Sequence, residues 1–582
     1  MIVRSRSFAL FLLATILVAV PARAQFKLTP EQQTWVDQTL AKMSLDEKVG
    51  ALIFPVASGT FTSQSSEDFQ TIRDNIVKYH VGGYHIEGDG GNPASAALLI
   101  TRMQQLATIP QLITADFEGG AGSQFWGGTR FPRGMAMGAT GNTQYAYDAA
   151  RLTAQEAKAM GIAVNFYPVV DVNNNPANPI INVRSFGADP AKVGQFGAAY
   201  VRGTQDAGVV ATAKHFPGHG DTAVNSHLEL PVLDFDRARL DRIELPSFEA
   251  AIAAGVHGVM TAHIYESQIE KTPGLPGSLS PGVTTGLLRQ DLHFNGLVFT
   301  DALVMHAITN TFGAEQAVVM AIEAGADVAL EPADIPKSFA AIEAAVNKGE
   351  ISRDRLDASV RRLLEAKAWA GLAVHSTPDL NQLDVLVGSR EAAAKSTEIM
   401  EHAVTLVKDD RHVLPLKLEP REDVLLVNFV DEDNPELTGQ PGEAFRAEFN
   451  NRHPQTLFVD VPQGASANEL DLIEQLLPRY KTIVVSATIR IASYKRGPMG
   501  LNEVQLYLLR EIAHHDGPVV VACFGSPFLL NDVPDLPSYA AAFDDYPGAE
   551  AAMVRALFGE IPFVGKLPVP VGGFPIGFSL RR

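Results

Sequence analysis

Val209-Val210-Ala211-Thr212-Ala213-Lys214-His215-Phe216-Pro217-Gly218-His219-Gly220-Asp221-Thr222 passes from an apolar run straight into a loop. Val209 to Lys214 reads as a β-strand, Lys214 and His215 close it, and Pro217, Gly218 and Gly220 prevent the helix that would otherwise follow. Seven more runs of this kind lie on either side: Gly50 to Phe54, Val81 to Ile86, Gln111 to Ala115, Ala163 to Val170, Gly258 to Ala262, Leu297 to Thr300 and Asp327 to Leu330. Each is followed by a helix-compatible segment. An α/β chain with eight such units predicts a closed (β/α)8 TIM-type barrel over residues 31–372.

Local signals agree with this count. Thr29-Pro30-Glu31 opens a helix, and Ser44-Leu45-Asp46-Glu47 has capping-box spacing ahead of another. Further helices are expected over Tyr145 to Met160, Arg239 to Ala254, Ala314 to Ala324 and Asp354 to Ala370. Many of the apolar runs end on a polar residue: Glu87, Asp116, Asp171, His215, His263 and Asp301. In a barrel the C-terminal strand ends carry the active site, so these residues are expected on one rim.

Residues 373–390 carry Thr377-Pro378 and Gly388-Ser389 and read as a linker. Residues 391–582 are expected to form a smaller open α/β sandwich domain. It is led by a long amphipathic helix from Arg390 to Lys408, with buried parallel strands at Asp423 to Phe429, Thr482 to Ser486 and Pro518 to Phe524 and a helix at Asn502 to His514. The single cysteine, Cys523, falls in the last of these apolar runs, where it reads as a core thiol unable to form an internal disulfide.

Arg4 and Arg6, the apolar run Phe8 to Val20 and the small-x-small site Ala22-Arg23-Ala24 read as a signal peptide over residues 1–24. An exported, periplasmic or secreted protein is therefore expected, with no stable membrane insertion. The formal charge of −19 argues against nucleic-acid and acidic-lipid partners. The sequence leaves the oligomeric state open.

The chemistry concentrates in the His-rich loop. His215, His219 and His227 offer three readings: a metal site, structural loop histidines, or a sugar site with a titratable histidine. Zinc motifs with two histidines four apart use a helix face, which the Pro/Gly composition denies, so no metal is expected. Hexose recognition needs fixed donors and acceptors, and Asp116, Arg184, Lys214 and His215 offer them at strand ends. Retaining glycoside hydrolysis needs an attacking carboxylate and a proton donor. Asp301, at the end of Leu297 to Thr300, is the strongest carboxylate candidate, with a helix N-cap as its competitor on spacing alone.

Several segments carry a family resemblance: Met43 to Gly50, Asp116-Phe117-Glu118-Gly119-Gly120, Asn182-Val183-Arg184-Ser185-Phe186-Gly187, Lys214 to Thr222, Leu279-Ser280-Pro281 and Gly296 to Leu303. Through them nearly the whole chain after the leader resembles two-domain family 3 glycoside hydrolases of the β-N-acetylglucosaminidase branch. The Lys-His-Phe-Pro-Gly-His-Gly run is the most specific of the set. The resemblance implies an exo-acting retaining enzyme that removes terminal N-acetylglucosamine from cell-wall or chitin-type glycans, with no cofactor. It implies Asp301 as nucleophile, His227 as acid/base, and Asp116, Arg184, Lys214 and His215 as ligands of the terminal sugar. A β-glucosidase-like exo-glycosidase, a glycoside phosphorylase and a non-catalytic glycan binder are the rival outcomes.

Two positions depart from the pattern. The branch pairs its acid/base histidine with an aspartate two residues earlier, where this chain has Asn225. It also places an arginine eight residues after the strand-end aspartate, where this chain has Gln124. A neutral amide orients an imidazole but stabilises its charged form poorly. Either another carboxylate such as Asp221 substitutes, or the site is tuned for an anionic acceptor such as phosphate, or turnover is low.

Overall fold

The computed structural model describes residues 26–226, 228–430, 441–491 and 500–581. The leader at residues 1–24 and His227 both lie outside the described residues. Among the described residues, no helix is long and apolar enough to cross a membrane.

Eight strand positions form the first unit. They are β1 (Ile53–Phe54, continuing past Pro55 as Val56–Ser58), β2 (Gly83–Glu87), β3 (Leu112–Ala115), β4 (Val164–Asn165), β5 (Val210–Phe216), β6 (Gly258–Thr261), β7 (Leu297–Thr300) and β8 (Ala329–Leu330). All pairings are parallel and run in chain order from β1 to β7. The ring closes through β8. Thr300 N–H donates to Val328 O at 3.1 Å on one side, and Ala329 N–H donates to Leu52 O at 2.8 Å on the other. Continuous burial of β3 to β7 explains their uninterrupted apolar sequence, since both faces of each strand are covered.

The expected caps are present. Thr29 and Gln32 make one reciprocal capping box, and Ser44 and Glu47 make the next. The helix expected over Arg239 to Ala254 is instead two helices, Arg237–Arg242 and Leu245–Ala253. Pro246 lies in the first turn of the second, where its missing N–H costs nothing; further inside one continuous helix it would break the hydrogen-bond ladder.

Two corrections fall after the barrel. The stretch read as a connection contains a short helix, Leu380–Leu386, capped by Asp379 and anchored by buried Leu383. The long helix expected to reach Lys408 stops at Ala403, and Thr405–Asp409 forms a strand, β9. The Val404-Thr405-Leu406-Val407 run is mostly β-branched, and β9 finds an antiparallel partner in Ser538–Ala541, so pairing wins over helix continuation.

The second unit is a six-stranded sheet that adds β10 (Val424–Val430), β11 (Thr456–Val461), β12 (Thr482–Ile489), β13 (Val519–Gly525) and β14 (Ser538–Ala541). Its order is β9-β14-β13-β12-β10-β11, parallel except at β9. Cys523 is buried in β13 as a free thiol. The hydrophobic core of this unit takes in Met135, Ala136 and Ala139 from the barrel helix Gly134–Thr140, so the two units share packed surface.

Candidate functional site

The C-terminal strand ends surround a cavity of about 570 Å³. Of the six expected rim residues, Glu87, Asp116, His215 and Asp301 line it. Asp171 and His263 do not line it and lie fully buried. Asp171 stands behind His215, accepting its backbone N–H and holding its Nδ1 at 2.8 Å. His263 bridges the Ser278 hydroxyl at 2.7 Å and Ala302 O at 3.0 Å, beside the Asp301 turn.

The barrel brings the four expected sugar ligands together. Lys214 Nζ lies 2.5 Å from Asp116 Oδ1 and 2.8 Å from Glu118 Oε1. Arg184 grips Glu118 with two prongs, Nε to Oε2 at 2.8 Å and Nη2 to Oε1 at 2.7 Å, and its Nη2 lies 3.4 Å from His215 Nε2. Glu118 is therefore the hub of the cluster, although the sequence reading treated it only as part of a motif. Burial pushes its carboxyl up, but Arg184 and Lys214 outweigh burial and hold it well below the ordinary carboxylate range. Burial also lowers Lys214, and Asp116 and Glu118 more than restore it. The result is a buried, charged and nearly balanced set whose hydrogen-bonding atoms border the cavity.

Asp301 follows β7. Its backbone N–H donates to Thr261 O at 3.0 Å, and its Oδ1 accepts the Ala302 N–H at 2.9 Å. No helix starts directly on it; the next helix is His306–Phe312, so its competitor role as a cap falls away.

The His-rich loop contributes structure as well as chemistry. His219 is buried, with Nδ1 2.9 Å from the Thr222 hydroxyl and Nε2 2.8 Å from the Ser226 hydroxyl. Both ring nitrogens are engaged, which leaves none for a metal. Burial, reinforced by His215, pushes this imidazole down to about 4, so it is neutral at pH 7. Asn225 is buried in the same loop, its carbonyl accepting the N–H groups of Leu228 and Glu229 at 3.0 Å. Asp221, the carboxylate next to this loop's histidines, has its Oδ2 bound by Arg239 at 2.9 Å. Gln124 lines the cavity, and its Oε1 accepts the Gly88 N–H at 3.1 Å.

Three titratable cavity residues are not among those expected from the sequence: His85, Glu331 and Arg133. Glu331 directly follows β8, so the strand-end rule that selected the other six applies to it equally. The closest ligand atoms of His85, Glu87 and Glu331 all lie within 4.8 Å of one another. Arg133 and Ile491 bring the second unit to the cavity edge: Asp544 Oδ2 accepts the Arg133 N–H at 2.7 Å, and Ile491 extends from β12.

This architecture is shared with known proteins. Residues 44–366 match the glycosyl hydrolase family 3 N terminal domain. A β-N-acetylglucosaminidase/β-glucosidase of Cellulomonas fimi is 33% identical over 567 residues, spanning 94% of this chain and 97% of that protein. Among solved structures, a family 3 β-N-acetylglucosaminidase from Paenibacillus sp. str. FPU-7 superposes with a TM-score of 0.82 at 34% identity, covering 92% of this chain and all of that one. The β-glucoside phosphorylase BglX superposes with a TM-score of 0.81 at 26% identity, covering 94% and 97% of the two chains. The barrel and its polar cavity are those of a glycosidase acting on O-glycosyl bonds. The chain belongs to glycoside hydrolase family 3.

Proposed function

We propose that this protein is an exo-acting, retaining β-N-acetylglucosaminidase that removes terminal N-acetylglucosamine from cell-wall or chitin-type glycans. The observation that carries the reading is the placement of Asp301 in the same cavity as the Asp116–Lys214–Glu118–Arg184 cluster. The cluster presents carboxylate acceptors and cationic donors to sugar hydroxyls, and Asp301 supplies the carboxylate that attacks the anomeric carbon.

In the first step the Asp301 oxygen bonds to the anomeric carbon as the glycosidic C–O bond breaks, and His227 gives its proton to the departing oxygen. In the second, the neutral His227 takes a proton from water, and the resulting attack releases the sugar from Asp301 with net retention. His215, braced by Asp171, holds a hydroxyl of the terminal sugar. Export to the periplasm or medium, directed by residues 1–24, would bring the enzyme to such glycans.

A second reading, transfer to phosphate, is favoured by Asn225. A neutral residue in place of an aspartate repels an incoming anion less, and the similar BglX structure is named a phosphorylase. Turnover of p-nitrophenyl N-acetyl-β-glucosaminide and the matching glucoside, with and without phosphate, tests both readings. Hydrolysis of the N-acetylglucosaminide without phosphate is the expected result. A sugar phosphate as main product would replace water by phosphate, and preference for the glucoside would overturn the substrate assignment.

A further inference from the structure

The cavity is electrically two-sided. On the side of β5 and the loop after β4 stand Lys214, His215 and Arg184. Across the ring, Asp301 follows β7, Glu331 follows β8, Glu87 ends β2 and Asp116 follows β3. Asp116 is drawn across to Lys214, and Glu118 is saturated by Arg184 and Lys214. Glu87 and Glu331 differ from both: neither carboxyl accepts a hydrogen bond from any described residue, and both border the cavity. Among the described residues, the basic group within 4 Å of the Glu331 carboxyl is the His85 imidazole at 3.9 Å, which burial lowers and so keeps neutral at pH 7.

The backbone shows that Glu331 is held in place. Its φ is +49°, in the left-handed region that residues with a Cβ seldom occupy, and its N–H is fixed to Phe54 O at 2.8 Å. Gln124, whose Oε1 accepts the Gly88 N–H next to Glu87 at 3.1 Å, is a neutral amide and adds no charge beside the two acids.

We propose that Glu331 and Glu87 are further substrate-binding residues, a carboxyl pair that holds hydroxyl groups of the terminal sugar from the wall opposite Lys214 and Arg184. The pair rests on the glycosidase reading above and extends its specificity. A hydroxyl both donates and accepts, so the best wall for two of them offers one acid O–H and one carboxylate. Burial, followed by repulsion from Glu87, Asp116 and Asp301, pushes Glu331 up to about 8, so at neutral pH it supplies the O–H. The groups facing it are His85 and Glu87 on β2, Asp116 after β3, and Asp301 after β7, with Lys214 on β5 committed to Asp116 and Glu118. As pH rises through about 8, Glu331 loses its proton, the donor disappears, and a further negative charge enters a wall that already holds Asp301 and Asp116.

The test is calorimetric binding of N-acetylglucosamine at pH 6 and pH 9 to the full-length wild type, Glu331→Gln and Glu331→Ala, with thermal melts to verify folding. Wild-type affinity is expected to fall between the two pH values. Glu331→Gln, which keeps a donor and cannot ionise, is expected to bind within about threefold of wild type at pH 6 and to stay level at pH 9, whereas Glu331→Ala weakens binding about tenfold at pH 6. Wild-type affinity in the alanine variant, or an unaltered pH dependence in the glutamine variant, overturns the pair. So does tight binding of Zn²⁺ or Mg²⁺ that Glu331→Gln abolishes, since the cluster would then be a cation site. A wild type that neither binds the sugar nor turns over any glycoside overturns the glycosidase reading itself, a result distinct from these.

Discussion

Arg184 and Glu118 form a two-pronged ion pair, 2.8 and 2.7 Å, that ties the loop after β4 to the loop after β3. Lys214 reaches the same carboxylate from β5, so one acid holds two cations in place. Removing its charge leaves both without full compensation in a buried setting. Glu118→Gln is expected to destabilise the fold by about 3 kcal/mol and to raise KM more than it lowers kcat. A thermal melt with steady-state kinetics checks this, and an unchanged melting temperature would mean the triad is not coupled as its geometry indicates.

Asp301→Ala removes the carboxylate proposed to attack the anomeric carbon without touching the Arg184–Glu118–Lys214 cluster. Turnover of an activated N-acetyl-β-glucosaminide is expected to fall by at least about 10³-fold while binding of the sugar persists. Added azide, small enough to occupy the vacated space, should restore part of the rate and give a product of opposite anomeric configuration. Near wild-type turnover would remove Asp301 from the mechanism.

Asn225→Asp places an anion two residues before His227. An added negative charge favours the protonated imidazole, so the His227 pKa should rise and the pH optimum should move upward. A pH–rate profile of kcat/KM reads this directly. If the two profiles superimpose, residue 225 does not reach the proton-transferring group in the working enzyme.

Glu266 carries a stability prediction. It is fully buried, neither carboxyl oxygen has a hydrogen-bond partner among the described residues, and burial, followed by repulsion from Glu244, pushes it up to about 8. Its folded pKa is raised, so its contribution is fully present below about 4.3, the unfolded value, and declines until pH passes about 8. Glu266→Gln abolishes that loss, and its melting temperature should exceed wild type by several degrees at pH 8.5, with a smaller difference at pH 5. Equal melting curves at pH 8.5 would show that the carboxyl is solvated in the working protein.

All eight barrel strands could be found in the sequence because a parallel strand covered on both faces has to be a continuous apolar run. The errors came where local pattern and tertiary pairing disagree. The five residues Thr405–Asp409 follow closely on an amphipathic helix and read as its last turn, yet β14 offers them an antiparallel partner. β11 is not legible as an apolar run because it is an edge strand with exposed positions between buried ends. At the site, Asp116, Arg184, Lys214 and His215 were recognisable and do converge. The central role of Glu118 was not, since it depends on contacts with residues far along the chain. Glu331 is legible by the same strand-end rule, since it follows Asp327 to Leu330 at the offset that Asp301 keeps from its own run.

Asp545 accepts a hydrogen bond from Arg490 at 2.7 Å and lies within 4 Å of Arg130 and Arg133, the latter at the cavity edge. These guanidinium groups, with burial opposing them, hold Asp545 down to about 2. The barrel thus borrows counter-charge for its own arginines from the C-terminal unit. For protein engineering this makes the catalytic barrel a poor stand-alone module: exchanging the C-terminal unit for one from a relative would also replace the anions beneath Arg130 and Arg133. A chimera should then inherit part of its aglycone preference from the donor of that unit rather than from the barrel that carries Asp301.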